Sequence, residues 1–224
     1  MAAVPDPKFE YRRLRKADLP GWGGEQFVQR QKDWSATLAE FGTDSRFPKV
    51  PGRILELGCG NGMVSMLVAD RGYEVVGVDL SSEAVGWARE RFSQAGLPGK
   101  FRQGDVCSMP WLGDGAFDAV IDGNCLHCII GADRARCLGE VRRTLRPGGV
   151  FLVSSMCGAP RSAEVYERFD FADNILLENG QPYRALMPAG DLIAELEAAG
   201  FHIYRSEMKE RPWWDHLTLW CDSP

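Results

Sequence analysis

The chain has 224 residues, 45% of them hydrophobic and 25% charged, which is the composition of an ordinary globular protein. Its 26 Lys and Arg against 31 Asp and Glu leave a formal net charge of −5, which argues against nucleic acid or an anionic membrane as a partner. No apolar stretch reaches the length of a membrane span, and the N-terminus lacks the apolar segment of a signal peptide, so we expect a cytoplasmic protein.

The order of predicted elements indicates an α/β fold. Residues 1–50 are expected to form an N-terminal helical cap segment, with an amphipathic helix over about 24–41. From residue 53, β-rich runs alternate with helical patterns. Strands are predicted at 53–58, 73–81, 100–105, 117–122 and 150–156, and helices at 63–72, 81–96 and 132–149. This alternation predicts a doubly wound, Rossmann-like parallel sheet with helices on both faces.

The last third of the chain completes one domain over residues 51–224. Residues 157–187 have no clear periodicity and are expected to be an irregular insert. A helix is predicted at 188–200, and two strands at 201–210 and 216–221 form a final hairpin.

The segment LELGCGNG places three glycines between the first predicted strand and a helix. Gly58, Gly60 and Gly62 allow a sharp turn and a close approach of a ligand to free backbone N–H groups. The G-x-G-x-G spacing differs from the G-x-G-x-x-G of dinucleotide folds. Glu56 at the strand end suits a neighbouring ammonium group better than a pyrophosphate. Asp79, at the end of the second strand, can accept hydrogen bonds from both hydroxyls of a ribose.

With these motifs in order, residues 53–156 resemble the core of the class I S-adenosylmethionine-dependent methyltransferases. The resemblance is carried by the segments ILELGCGNG, VVGVDLS, RQGDVCSMPW, FDAVIDGNCLHCI and LRPGGVFLVSSM. It implies a seven-stranded sheet whose last strand is antiparallel, and S-adenosylmethionine as cofactor, with S-adenosylhomocysteine as product.

The resemblance also implies roles for particular residues. Glu56 would lie near the methionyl ammonium, and Asp79 would hold the ribose. Leu80 and Val106 would contact the adenine, and Asp105 would accept from its amino group. The complete set of residues that we expect to bind the cofactor is Glu56, Gly58, Cys59, Gly60, Gly62, Asp79, Leu80, Asp105, Val106 and Asn124.

His127 is the candidate catalytic residue, because it follows the fourth strand near the expected position of the methyl group. It could act as a general base or orient the substrate, and a purely structural role stays open. Cys125 and Cys128 surround it, but a zinc site needs a second ligand pair that the sequence lacks, so we predict no metal. The seven cysteines follow no framework and are expected to be reduced thiols.

The insert at 157–187 is predicted to be a substrate lid, together with the N-terminal helix. Its arginines can bind a carboxylate and its aromatic rings can stack on an apolar body, although solvated arginines and core aromatics are the alternative. The GWGGEQF segment at 21–27 could close over the cofactor, with its glycines providing mobility. The candidate substrate-binding residues are Trp22, Arg161, Tyr166, Arg168, Tyr183 and Arg184.

The sequence therefore predicts methyl transfer to an O, N or S atom of a small molecule, by a monomer or homodimer. A protein methyltransferase, a non-catalytic module that binds S-adenosylmethionine, and a nicotinamide-dependent oxidoreductase remain as alternatives.

Overall fold

The computed structural model describes residues 7–224, with side chains from Glu10 onward. Residues 1–6 of the predicted N-terminal segment lie outside the described residues. In chain order the elements are α1 (Pro7–Lys16), α2 (Phe27–Phe41), β1 (Arg53–Leu57), α3 (Met63–Ala69), β2 (Glu74–Asp79), α4 (Ser82–Ala95), β3 (Gly99–Gln103), β4 (Phe117–Asp122), α5 (Asp133–Thr144), β5 (Leu145–Cys157), α6 (Ala163–Tyr166), β6 (Phe169–Asp170), β7 (Ile175–Glu178), β8 (Gln181–Ala185), α7 (Ala189–Ala198), β9 (His202–Lys209) and β10 (Asp215–Asp222).

The main sheet has seven strands in the order β3-β2-β1-β4-β5-β10-β9. The strands from β3 to β5 are parallel, whereas β10 is antiparallel to both β5 and β9. The predicted seven-stranded sheet with an antiparallel last strand is therefore confirmed. The carboxyl ends of β1, β2 and β4 meet at one edge, where the predicted cofactor residues lie.

Helices cover both faces of this sheet. Apolar side chains of α2, α3 and α4 pack on one face, and those of α5 and α7 on the other. Local signals set the helix ends as predicted for α4: the Ser81 hydroxyl accepts from the N–H of Ala84, and Gly96 ends the helix with a φ of 66°.

Helix α1 was not predicted, because charged residues dominate its sequence. Its apolar surface consists largely of Tyr11 and Leu14, three positions apart, and both side chains are buried. The helix packs against α4, where Arg12 and Arg15 form ion pairs with Glu83 and Glu90 at 3.0 and 2.6 Å.

Two sequence predictions are corrected by the structure. Helix α5 ends at Thr144, and the LRPGG segment belongs to β5, because Pro147 disfavours a helical backbone at the preceding residue. The insert at 157–187 is not irregular. It contains α6 and an antiparallel three-stranded sheet in the order β6-β7-β8, with an Asn179–Gly180 turn in the left-handed region.

The insert has a small apolar core of its own beside the main sheet, formed by Met156, Val165, Phe169, Leu176 and Leu186. Among residues 7–224, no helix combines the length and the apolar character needed to cross a bilayer.

Candidate functional site

A cavity of about 460 Å³ opens where the carboxyl ends of β1, β2 and β4 meet. The loops after these strands form its floor, and side chains from α1, the loop that follows it and α2 form a wall. The cavity is lined by Tyr11, Trp22, Phe27, Arg30, Trp34, Glu56, Gly58, Cys59, Gly60, Asn61, Met63, Val64, Asp79, Leu80, Asp105, Val106, Cys107, Gly123, Asn124, Cys125, His127, Cys128, Ile129, Ile130, Asp133 and Arg184.

The glycine loop between β1 and α3 is shaped by close neighbours. Gly58 and Gly60 have φ values of 61° and 54°, which favour glycine. A Cβ atom on Gly58 would lie 2.7 Å from Cβ of Cys125, and one on Gly60 would collide with the Tyr11 hydroxyl. Cys125 and Tyr11 therefore pack closely against the loop, whose glycines also line the cavity.

Asp79 at the end of β2 is tied to this loop. Its Oδ2 accepts from the N–H of Gly60 at 2.9 Å, and its Oδ1 accepts from the N–H of Ser81 at 2.8 Å. Burial raises the pKa of Asp79, although these two hydrogen bonds act in the opposite direction and lower it. Each carboxylate oxygen has a further lone pair, which leaves capacity for two hydroxyl donors.

Glu56, in β1, and Asp122, at the end of β4, are buried acids, of which Glu56 lines the cavity and Asp122 lies close enough to influence its charge. Glu56 accepts a short hydrogen bond from the Ser65 hydroxyl, but burial raises its pKa to about 8. Burial also raises the pKa of Asp122 to about 6. Neither residue forms an ion pair within the described chain, so this end of the cavity favours a cation.

The adenine end of the predicted site is formed by residues after β2 and β3. Leu80 is 57% exposed and Val106 is buried, and both line the cavity. Oδ1 of Asp105 accepts from the N–H of Cys107 at 2.8 Å, so the carboxylate also holds its own loop.

The turn after β4 is held from both sides. Oδ1 of Asp122 accepts from the N–H groups of Cys125 and Leu126 at 2.7 and 2.9 Å. From below, Nη1 of Arg134 donates to the carbonyl of Leu126 at 2.7 Å, while the same guanidinium binds both oxygens of Glu195. The turn is therefore fixed where it meets the cavity, and Asn124 within it adopts a φ of 65°.

His127 lies in this turn, buried but lining the cavity. Its Nδ1 accepts a long hydrogen bond, 3.4 Å, from the N–H of Met156. In the neutral ring the proton is consequently on Nε2. Burial, together with the nearby charge of Arg184, lowers the pKa of His127 well below its ordinary value. The imidazole is thus arranged as a hydrogen-bond donor, whereas a general base would need the other tautomer.

The wall formed by α2 contributes three side chains spaced along one face: Phe27, Arg30 and Trp34. The apolar pattern of the sequence predicted an amphipathic helix with Phe27 and Trp34, but it indicated no role for Arg30. Its signal is an arginine between two buried aromatic residues on the apolar face of the helix. Tyr11 and Trp22 extend this wall, with their ring centroids 5.5 Å apart.

Arg184 on β8 also reaches the cavity. Its guanidinium donates to the hydroxyl of Tyr183 at 3.0 Å and to Sγ of Cys128 at 3.3 Å. Its Cζ lies 4.6 Å from the centre of the Tyr183 ring. Arg184 thus has neutral partners, and Tyr183 supports it from outside the cavity lining.

The remaining predicted residues lie elsewhere. Gly62 faces Ala88 on α4, while Arg161 pairs with Glu210 and Asp215 at 3.1 and 2.9 Å. Two further residues of the insert also lie outside the lining: Tyr166 is exposed and packs on Phe171, and Arg168 pairs with Glu164 and Glu178. The structure therefore brings together Trp22, Arg184 and all the predicted cofactor residues except Gly62.

All seven cysteines are free thiols. Cys125 packs against the glycine loop, and Cys128 lies beside Arg184. Within residues 7–224, no group of three or more His, Cys, Asp and Glu residues is arranged to hold a metal ion.

Comparison with known proteins places this geometry in context. The family profile described as a methyltransferase domain matches residues 55–153. The chain is 32% identical to the demethylmenaquinone methyltransferase of Thermus thermophilus, over 74% of this chain and 86% of that protein. It is 30% identical to the ubiquinone biosynthesis O-methyltransferase of Rhizobium etli, over 74% of this chain and 66% of that protein.

Among solved structures, the PH0226 protein of Pyrococcus horikoshii OT3 has the same fold, with a TM-score of 0.74 and 21% identity. The match covers 96% of this chain and 99% of that one. The similarity therefore extends beyond the profile match to the N-terminal and C-terminal parts of the fold.

Proposed function

Because the chain belongs to the class I S-adenosylmethionine-dependent methyltransferases, we propose that it transfers a methyl group to an oxygen, nitrogen or sulfur atom of a small-molecule acceptor. Two of its relatives are named for steps on demethylmenaquinone and in ubiquinone biosynthesis, which supports an acceptor of this size class. Enzymatic methyl transfer itself follows from the family.

The acidic end of the cavity fits S-adenosylmethionine. The buried Glu56 and Asp122 have raised pKa values and no ion-pair partner within residues 10–224, so a positively charged ligand would stabilise their ionised forms. Gly58 and Gly60 let the loop pass close to Cys125 and Tyr11, with which a Cβ at either position would collide. Asp79 has a lone pair on each oxygen for the two hydroxyls of a ribose.

When bound, the cofactor supplies a methyl group on a positively charged sulfur, which the acceptor takes by in-line displacement. The protein's contribution is to orient the two ligands and to exclude water. Trp22, Phe27 and Trp34 supply the apolar wall that excludes water. His127 would donate from Nε2 to the acceptor and so orient it.

The observation that carries this proposal is the continuity of one cavity. It runs from Asp79 and Glu56 at the strand ends to His127 and Arg184 beside the insert, so donor and acceptor can meet within it. The first elements of the chain form a wall over it, which suits a small acceptor better than a polymer.

Two measurements test the proposal. S-adenosylhomocysteine should raise the melting temperature in a concentration-dependent way, because a ligand that binds only the folded state stabilises it. A screen of small-molecule acceptors, with release of S-adenosylhomocysteine as the signal, should then find turnover above the background without acceptor. Absence of any thermal shift at millimolar ligand would contradict the cofactor assignment, and turnover restricted to protein acceptors would contradict the acceptor class.

A further inference from the structure

Two arginines face the same cavity without an acidic partner. Arg30 reaches it from α2 and Arg184 from β8. Among residues 10–224 neither forms an ion pair, and Arg184 donates its hydrogen bonds to the neutral Tyr183 and Cys128. Both arginine side chains are half-buried, which distinguishes them from a solvated surface arginine.

The acids close to Arg30 are already engaged. Asp33, one turn further along α2, accepts from the amide of Gln29 at 2.9 Å and lies 3.4 Å from Arg211. Burial lowers the pKa of Arg30, and the charge of Arg184 lowers it further. Two like charges held together and partly removed from water are costly unless an anion joins them.

The Arg30 side chain packs closely on the backbone, and the Arg184 guanidinium is held by neutral contacts. The Arg30 side chain passes over Gly23, where a Cβ atom would lie 2.8 Å from its Cδ, and Gly23 has a φ of 95°. Arg184 is held by the Tyr183 hydroxyl and the Cys128 sulfur. The planar guanidinium fork matches the oxygens of a carboxylate or a phosphate, and that of Arg184 is preorganised for such a ligand.

The cavity consequently has an acidic end and a basic end. Glu56 and Asp79 lie at the end assigned to the cofactor, and Arg30 and Arg184 lie at the other. Apolar side chains line the same cavity as the arginines, among them Phe27, Trp34, Ile129 and Ile130. A ligand that satisfies both features has an apolar body and an anionic oxygen group.

We propose that the acceptor is an amphipathic acid whose carboxylate or phosphate binds between Arg30 and Arg184, while its apolar body packs on Phe27 and Trp34. The inference rests on the proposed function in so far as it calls the bound acid the methyl acceptor, but binding of an anion at this site can be tested without turnover. Such an anion site would distinguish this chain from an enzyme whose acceptor is neutral.

The test uses the protein saturated with S-adenosylhomocysteine and three probes of similar shape at constant ionic strength. Benzoate and phenyl phosphate carry the two anionic groups, and benzamide is neutral. We expect benzoate, phenyl phosphate or both to raise the melting temperature, and benzamide to have little effect. The stronger of the two anions identifies the group that the site prefers.

Arg30→Gln and Arg184→Gln should each weaken binding of the preferred anion about 10- to 100-fold, since each removes charge-assisted hydrogen bonds. Arg161→Gln is the matched control, because Arg161 lies outside the cavity lining and should leave binding unchanged. Binding of S-adenosylhomocysteine should be unaltered in all three variants, which shows that they fold and that the cofactor end is intact.

Equal effects of benzoate, phenyl phosphate and benzamide, including no effect from any of them, would overturn the anion site. Unchanged anion binding in both cavity variants would do the same. Failure of the proposed function is distinguishable, because it would appear as a lack of S-adenosylhomocysteine binding or of turnover with every acceptor, whatever the anion probes do.

Discussion

The backbone N–H of Gly60 donates to Oδ2 of Asp79 over 2.9 Å, so the loop after β1 and the end of β2 are joined through one carboxylate. The same carboxylate accepts from Ser81 at the start of α4. A residue assigned to the ribose therefore also organises the loop that faces the rest of the cofactor.

Replacing Asp79 should accordingly weaken cofactor binding strongly. For Asp79→Asn we expect an affinity for S-adenosylhomocysteine lower by about 10- to 100-fold, because hydrogen bonds to a charged group are lost and the amide can accept at only one position. Titration calorimetry measures the affinity. Asp114→Asn, at an exposed acid paired with Arg143, is the control and should bind normally. Normal binding by Asp79→Asn would refute the ribose assignment.

Glu56 should make the stability of the ligand-free protein depend on pH. The folded state keeps its proton up to about pH 8, whereas the unfolded state releases it near the ordinary value of 4.5. Between these values the folded state binds more protons, so stability falls as pH rises, by at most about 1.4 kcal/mol per pH unit. Urea unfolding at pH 6.5 and 7.5 measures this slope.

Glu56→Gln should reduce that slope, because the amide does not titrate, whereas Glu90→Gln on the surface should leave it unchanged. The chosen interval lies above the pKa of about 6 for Asp122, which limits its contribution. An identical slope in Glu56→Gln and the unaltered protein would show that Glu56 is already ionised in the free fold.

His127 should act through its N–H group and not as a base. With an acceptor found by the screen, His127→Gln keeps a donor and should hold kcat within a few-fold, whereas His127→Ala should lose about 10-fold or more. Because the pKa of His127 is well below 6.5, the pH profile of kcat/KM should show no limb from this imidazole near neutrality. Equal loss in both variants, together with such a limb, would restore the general-base hypothesis.

The pair formed by Arg134 and Glu195 should contribute strongly to stability. Arg134 is buried and binds both carboxylate oxygens at 2.8 and 2.6 Å, so Glu195→Ala leaves a buried charge unpaired. The expected loss is about 3–5 kcal/mol in the free energy of unfolding, measured by urea denaturation. Glu90→Ala, which removes the exposed partner of Arg15, should cost less than about 1 kcal/mol. Similar losses in the two variants would contradict this difference.

Gly60→Ala tests whether α1 presses on the glycine loop. The alanine would adopt a strained φ of 54° and its Cβ would collide with the Tyr11 hydroxyl. Gly96→Ala has a similar φ of 66° but open space, so it measures the backbone strain alone, about 1 kcal/mol. We expect Gly60→Ala to cost more, and Tyr11→Phe to recover part of the difference. No recovery would mean that the contact is unimportant for stability.

Features that depend on neighbouring residues in the chain were predictable. The glycine loop, Asp79 and Glu56 lie at the ends of strands, and the carboxyl ends of parallel strands meet at one edge, so their proximity follows from the fold class. The caps of α4 are equally local. Arg30 was missed because its meaning depends on which helix face meets the cavity, which is a tertiary fact.

The insert illustrates the same limit in another way. Its strands are two to five residues long, too short for a clear period, and only the Asn179–Gly180 turn carried a local hairpin signal. The residues of the insert that were predicted to bind the substrate consequently differ in where they lie. Arg184 lies at the cavity, while Arg161 and Arg168 are engaged by acids at the surface.

The wall contributed by the start of the chain touches both ends of the cavity. Tyr11 presses on the glycine loop, and Arg30, in the next helix, reaches the basic end. The elements that carry these two residues are fastened to the body partly through exposed ion pairs such as Arg12–Glu83, which salt weakens. A displacement of this wall would open the routes for the spent cofactor and the methylated product at the same moment. Departure of the two products is therefore expected to be coupled, and to become faster as ionic strength increases.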